Sequence, residues 1–239
     1  MLNVFDKIVF FESLDSTSDY LIHLHKKMNF KKNLVVCTTK QKQGRGRIGK
    51  KWISNNHSLT FSFSIKLNSE FHEWTLNMII SLVLVNTFRK YGVDVKVKYP
   101  NDILAENSKI AGILIDCVFV DREKYYIVGV GANINNLVFP KTIKNAISIK
   151  NILLKNISKY DFLKFILCEL DCFINNPKLI SRQYMIYLHG AANFIPAIYQ
   201  NSKNYVKILN VTNLGLLTIQ IKNGGIYTVN DKEIKFILQ

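Results

Sequence analysis

From Glu73 to Tyr91 the chain reads EWTLNMIISLVLVNTFRKY, apolar on almost every side, with Gly92 placed to end the run. A helix with one polar stripe can lie on a surface, but one without it must be covered all round. Glycine then stops it at no steric cost. The stretch therefore predicts a central buried helix, and its flanks must supply the cover. KIVFFE (Lys7–Glu12) and LVVCTT (Leu34–Thr39) read as strands. SLTFSFSIKL (Ser58–Leu67) alternates with period two, which predicts a strand with one wetter face. VKVKY (Val95–Tyr99) is a short strand halted by Pro100. KIAGILIDCVFV (Lys109–Val120) and KYYIVGVGANIN (Lys124–Asn135) read as adjacent strands around the turn DREK. Ser16 caps a helix through Lys27, with Asp19 at capping-box spacing, and Ser158 opens another with Asp161 at its third position. One more helix is expected around Lys178–Leu188. Beyond Leu188 no helical period survives. Short strands alternate with Asn/Gly turns, the pattern of a small, partly open SH3-like barrel. The expected fold is α+β: a central mixed or antiparallel sheet with packed helices over residues 1–188, then a β-barrel module over 189–239.

With 239 residues, 48% of them hydrophobic, the chain can bury a core, which excludes wholesale disorder. Asp6 and Glu12 come too early for a signal peptide, and the longest apolar run, Met78–Phe88, is too short to span a bilayer. A soluble cytoplasmic protein without a membrane partner is expected. Cys37, Cys117, Cys168 and Cys172 sit among apolar neighbours and read as buried free thiols. Cys168 and Cys172 have helical spacing but lack a second Cys/His pair, and His23 and His25 point different ways on one helix, so no metal site is expected. The net charge of +15 could attract a polyanion. Its lysines are spread along the whole chain beside abundant Asn and Ile, which reads as compositional drift. A basic nucleic-acid-binding module stays as an alternative, although no helix-turn-helix and no interleaving of aromatic and basic residues supports specific DNA binding.

Four stretches depart from what a core requires. QKQGRGRIGKKW (Gln41–Trp52) packs Gly44, Gly46 and Gly49 with Arg45, Arg47 and two lysines before Trp52. Such a loop is costly to order, can approach an anion closely, and offers an aromatic face to a ring. It is expected to be mobile until it folds over a ligand. DSTS (Asp15–Ser18) sets hydroxyls at a helix start. Asn101 and Asp102 follow a strand, with Lys109 and Gly112 opening the next. Gly129 and Gly131 fall inside a strand, where glycine marks close approach.

In this order and spacing DST, GRGRIGKKW, YPNDI, KIAGIL and GVGANIN resemble the motifs of biotin–protein ligases, the biotin–[acetyl-CoA-carboxylase] ligases. The resemblance covers essentially the whole chain. It implies a class II synthetase-like fold, in the short form without an N-terminal DNA-binding domain, and leaves a homodimer open. The implied activity has two steps. Biotin and ATP, with Mg²⁺ carried on the ATP, give biotinyl-5′-AMP. A lysine of a biotin carboxyl carrier protein then takes the biotin. For biotin the resemblance implies Ser16, Thr17, Ser18, Gln41, Gly44, Arg45, Gly46, Arg47, Lys109, Gly112, Leu114 and Gly129. For the nucleotide it implies Arg45, Arg47, Trp52, Asn101, Asp102, Lys109 and Asn133. Lys109, Arg45, Arg47 and Asp102 would be catalytic. Ser18 stands where the family usually has Asn, Tyr99 where it often has Trp, and Ala132 where Ile is common. A lipoate– or octanoate–protein ligase shares the fold, but its motif has consecutive glycines near the arginine, and Gln41–Trp52 has none.

Overall fold

The computed structural model describes residues 4–67, 71–175 and 180–238. Strands β1 (Lys7–Leu14), β2 (Leu34–Gln41) and β3 (Ser58–Lys66), with helix α1 (Thr17–Met28) after the first, lead to the long helix α2 (Glu73–Lys90). Next come β4 (Lys96–Lys98), β5 (Asp102–Ala105), β6 (Ser108–Val120) and β7 (Glu123–Asn133). Helices α3 (Ile149–Leu153), α4 (Lys159–Asn175) and α5 (Ile180–Tyr187) complete this part. The strands make one sheet in the order β1-β2-β3-β7-β6-β5-β4. Only β1 and β2 pair in parallel, so the sheet is mixed, as expected. The remaining strands, β8 (Ile195–Tyr199), β9 (Ser202–Val211), β10 (Leu217–Ile221), β11 (Ile226–Val229) and β12 (Ile234–Phe236), form an antiparallel sheet in the order β11-β10-β9-β8-β12.

The apolar helix behaves as its sequence demands. Twelve residues of α2 are buried, and Gly92 follows its end at φ +87°. Each fully buried Leu, Ile or Val there contributes about 1.5–3 kcal/mol relative to exposure. Of the helix expected near 178–188, α5 is present, while Lys178 and Leu179 lie outside the described residues. Helix α3 and strand β5 were not expected, because five and four residues are too few to display a period.

The period of two in the strands gives the sheet two unlike faces. Val35, Phe61, Phe63, Ile113, Val128 and Val130 join α2, α4 and α5 in the main core. Their neighbours point the other way. At the outer ends those neighbours are apolar, and Val36, Val118 and Ile127 pack with Leu21 of α1. In the middle of β3, β7 and β6 they are not. Thr60, Gly131 and Gly112 make one cross-strand row, and Ser62, Gly129 and Leu114 the next. The wetter face expected for Ser58–Leu67 is thus a correction, since every residue from Ser58 to Ile65 is buried. Thr60 and Ser62 face a cavity and not bulk water, while Ser64 accepts from the Leu34 amide and Ser58 from the Asn136 side chain.

The small sheet is docked against the large one by particular contacts. The Tyr99 hydroxyl donates to the Gly215 carbonyl at 2.8 Å, and the His189 amide donates to the Val97 carbonyl at 2.8 Å. The Trp74 and Tyr99 rings stack at 5.1 Å, and one apolar cluster runs through both sheets. The thiols are a second correction. Only Cys37 is buried, and burial pushes it up to about 12, whereas Cys117, Cys168 and Cys172 are exposed. The last two stand on the outer side of α4, whose buried stripe is Phe162, Leu163, Ile166, Leu167 and Leu170.

Candidate functional site

Over the hydroxyl-and-glycine floor lies a cavity of about 600 Å³. One corner is built by the start of α1 and the end of β2. Ser16 caps the helix, accepting from the Asp19 amide, which turns Thr17 and Ser18 inward. The Thr17 amide donates to Gln41 Oε1 at 2.8 Å, and its hydroxyl lies 3.1 Å from the same oxygen and 2.6 Å from Ser62 Oγ. Ser18 Oγ lies 2.9 Å from Ser62 Oγ and 2.6 Å from where a side chain at Gly129 would begin. Hydroxyls and an amide buried this closely form a connected network, ready to exchange partners with a polar ring.

The glycine-rich loop forms the roof, and its glycines do not leave it shapeless. The Gly46 amide donates to the Lys50 carbonyl at 2.6 Å and the Trp52 amide to the Gly44 carbonyl at 2.9 Å, closing a small hairpin. A Cβ at Gly44 would meet the Trp52 carbonyl at 2.4 Å, so the crossing requires glycine. Trp52 then drops onto the floor. A Cβ at Gly131 would lie 2.1 Å from its indole, and Lys109 Nζ stands 5.5 Å from its ring. Its Nε1 is buried without a hydrogen-bond partner.

Each expected cation of the site has an acid beside it. Arg45 is gripped twice: a terminal nitrogen is 2.7 Å from Asp116 of β6, and Nε is 2.7 Å from Asp19 of α1 without hydrogen-bond alignment. Asp19 therefore does not complete the capping box that its spacing suggested. Arg47 pairs with Asp231, in the turn between β11 and β12, so the roof is tied to the small sheet. Lys109 pairs with Asp102 at 2.5 Å. Such half-exposed pairs hold geometry more than they add stability, and an entering anion can take over the cation.

Of the residues expected for the site, Ser16, Thr17, Ser18, Gln41, Arg45, Gly46, Arg47 and Trp52 all line the cavity. So do Asn101, Asp102, Lys109, Gly112, Leu114 and Gly129. Two do not. Gly44 acts one layer back, as described. Asn133 is buried, with its amide nitrogen 3.3 Å from the Lys109 carbonyl and 3.1 Å from that of Ile147, so it braces the lysine's main chain. Asn101 lines the cavity, yet its amide nitrogen is committed to the Ile113 carbonyl at 2.6 Å. Residues that the sequence did not suggest complete the wall: Thr60 and Ser62 on the floor, Lys98 on β4, and Asp231. The polar positions of SLTFSFSIKL were a usable signal for the first two. Asp231 had none, since its turn is distant in sequence. Lys98 is half-buried, and burial, reinforced by Lys109, Lys50 and Lys235 against the pull of Asp102, lowers its pKa.

The chain is similar to known proteins in sequence and in fold. Residues 10–133 match the Biotin/lipoate A/B protein ligase family. Biotin–protein ligase 2 of Arabidopsis thaliana is 33% identical over 144 residues, 56% of this chain and 42% of that one. The bifunctional ligase/repressor BirA of Escherichia coli (strain K12) is 34% identical over 126 residues, 51% of this chain and 38% of that one. The chain thus spans about two fifths of the length of these curated relatives. In fold it is similar to the biotin protein ligase from Aquifex aeolicus in complex with biotin and ATP, with a TM-score of 0.79 and 22% identity over 98% of this chain and 100% of that one. The matched segment holds the loop and strands β2 to β7 complete, the floor among them, and on that match the chain belongs to the biotin/lipoate A/B protein ligase family.

Proposed function

We propose that the protein is a biotin–protein ligase, which joins biotin to ATP as biotinyl-5′-AMP and passes it to a lysine of a biotin carboxyl carrier protein. One observation carries the reading. A corner of hydrogen-bonding hydroxyls and a mouth of arginine and lysine share one cavity, separated by a strip with no side chains at Gly112, Gly129 and Gly131. The corner suits a ureido ring, which both donates and accepts. The strip suits an acyl chain lying on backbone once Trp52 and Lys109, which cover Gly131 and Gly112 here, move aside. The mouth suits the place where a carboxylate meets a polyphosphate, two anions that repel until cations screen them.

In the first step a biotin carboxylate oxygen bonds to the α-phosphorus, and pyrophosphate leaves with the electron pair of the broken bond. Lys109 changes partner from Asp102 to the phosphate, and Arg47 from Asp231. Arg45, held by two acids, keeps the roof in place above the strip. Trp52 covers the mixed anhydride and excludes water. In the second step the neutral carrier lysine attacks the biotinyl carbonyl, AMP leaves with the electron pair of the broken acyl–phosphate bond, and Asp102, released from Lys109, can accept the amine's proton. Mg²⁺ would arrive with the phosphates. The boundary at residues 188/189 belongs to this reading, with the barrel module tied to the roof by Asp231.

The family also contains lipoate ligases, whose substrate ends in a dithiolane without hydrogen-bond donors. Such a ring would strand the hydroxyls of Thr17, Ser18 and Ser62, which favours biotin. No helix among the described residues is long and apolar enough to cross a membrane. A cytoplasmic place, where carrier proteins and ATP meet, accords with the reading. The test is the intact mass of a biotin carboxyl carrier domain incubated with the protein, biotin and MgATP. Addition of one biotinyl group, dependent on both substrates, supports the proposal, and an unmodified carrier refutes it.

A further inference from the structure

Strand β3 carries a hydroxyl at four alternate positions, Ser58, Thr60, Ser62 and Ser64. Three of them are bonded. Ser58 Oγ accepts from the Asn136 amide at 3.0 Å, Ser64 Oγ accepts from the Leu34 amide at 3.1 Å, and Ser62 meets Thr17 and Ser18. Thr60 is the exception. It lines the cavity and is only 2% exposed, yet its Oγ1 has no hydrogen-bond partner among the described residues. A buried hydroxyl left alone is unfavourable, and valine would fill the same volume in a strand without that cost. Such an exception calls for a partner that arrives with a ligand.

The strand register narrows what that ligand presents. Thr60, Gly131, Gly112 and Asp102 stand in one cross-strand row, which runs from β3 to the acid beside Lys109. Ser62 stands two residues along β3, roughly 6.8 Å away, in the hydroxyl corner. In the reading above, the ureido ring occupies that corner and the carboxylate reaches Lys109. Thr60 then falls beside the part of biotin between its two polar ends. A single polar atom lies there, the sulfur of the thiolane ring fused to the ureido ring. The Trp52 indole lies over the same row, since a Cβ at Gly131 would be 2.5 Å from its Nε1. When the indole moves aside for the acyl chain, the bicycle can take its place against the hydroxyl. We propose that Thr60 donates a hydrogen bond to the thioether sulfur of biotin and is a specificity-determining residue for the acid. The inference rests on the biotin reading and adds recognition of sulfur to that of the ureido ring. A thioether is a weak acceptor, so the effect on selectivity is graded and not absolute.

The test compares wild type, Thr60→Val and Thr60→Ser with three acids. These are biotin, oxybiotin, whose ring oxygen replaces the sulfur, and desthiobiotin, which has neither atom. Calorimetry gives the affinity for each acid, and pyrophosphate release with MgATP gives kcat/KM. In Thr60→Val both should fall on the order of 2–10-fold for biotin, the range for one neutral hydrogen bond, and stay within about twofold for desthiobiotin. Oxybiotin, with the stronger acceptor, should lose at least as much as biotin. Thr60→Ser keeps the hydroxyl, so its ratio of biotin to desthiobiotin should stay within about twofold of wild type. Ligand-free Thr60→Val should melt above wild type, because the unpaired hydroxyl is gone. A side chain with a structural role alone would instead lower the melting temperature and leave the ratio of acids unchanged. An unchanged ratio in folded Thr60→Val, or a loss that raises KM for ATP equally with every acid, overturns the proposal. A wild type that binds biotin but releases no pyrophosphate overturns the adenylation reading, and the affinity ratio then decides the part of Thr60 by itself.

Discussion

Replacing Gly131 with alanine probes the contact on which the roof depends. The added methyl carbon would lie 2.1 Å from Trp52 Cε2 and 2.4 Å from Cζ2. Ordinary carbon contacts need roughly 3.5 Å or more, so the indole must retreat by about 1.5 Å or leave the floor. The backbone at Gly131 is not left-handed, and alanine suits the strand there. The perturbation therefore falls on the ring. Overpacking of this size costs about 1–3 kcal/mol. If the roof absorbs it, the indole swings out with Lys109 and the hairpin, and pyrophosphate release falls on the order of 5–150-fold with little change in melting temperature. If the fold absorbs it, Tm falls by roughly 2–4 °C per kcal/mol instead. Emission of Trp52 in a Trp74→Phe background separates the outcomes, because an expelled ring shifts to the red. Gly112→Ala is the control. Its new methyl crowds the end of the Lys109 side chain, at 2.9 Å, which can bend away at smaller cost, and touches Trp52 Cζ3 only at an ordinary 3.5 Å. Unchanged emission and unchanged activity in Gly131→Ala would mean that Trp52 does not lie across the floor.

Three further perturbations have defined outcomes. Lys109→Gln should cost about 2–4 kcal/mol of transition-state stabilisation in biotin activation, with circular dichroism unchanged, and undiminished pyrophosphate release would remove Lys109 from the mechanism. Gly215→Ala should destabilise by on the order of 2–4 kcal/mol in a urea titration, because its φ is +82° and the new carbon would lie 1.9 Å from the Trp74 ring; an unshifted midpoint would contradict that packing. Burial lowers both His25, which packs against Tyr125 and Phe30, and His189, beside Lys96 and Lys98, below the ordinary 6.5. A group lowered in the folded state contributes stability present above 6.5 and lost as pH falls through that value toward the folded pKa. Urea midpoints should therefore drop over that interval, and His25→Phe should flatten the drop; a flat wild-type profile would refute it.

Much of this architecture can be read from residue patterns, and the remainder has identifiable physical reasons. Helix α2 is legible because eighteen residues without a polar face admit one placement. Ser16 and Ser158 announce their helices by offering a side-chain oxygen at the right step, and both bonds form, to the Asp19 and Asp161 amides. The site is legible in part because glycine inside a strand has few other uses, as at Gly129 and Gly131. What the residues could not convey is pairing across distance. That Arg47 meets Asp231, 184 positions away, and that Asp19 serves Arg45 instead of its own cap, depends on the assembled sheets. Asn133 misled for a related reason: an asparagine next to a ligand and one bracing a neighbour's carbonyl look alike until the strand's facing is known. The serines of β3 look wet in a period-two pattern, and only the assembled fold makes that face interior: Ser62 meets Thr17 and Ser18 of α1, Ser64 accepts from the Leu34 amide, and Ser58 accepts from the Asn136 side chain.

The account stands most directly on which acid the cavity activates. Pyrophosphate release should be measured with MgATP and biotin, lipoate or octanoate in turn. Biotin should drive release, and lipoate and octanoate should fall behind it by on the order of a hundredfold or more, since neither can satisfy Thr17, Ser18 and Ser62. Release with lipoate equal to that with biotin, or release that needs no carboxylic acid at all, would contradict the claim that this corner selects biotin for adenylation.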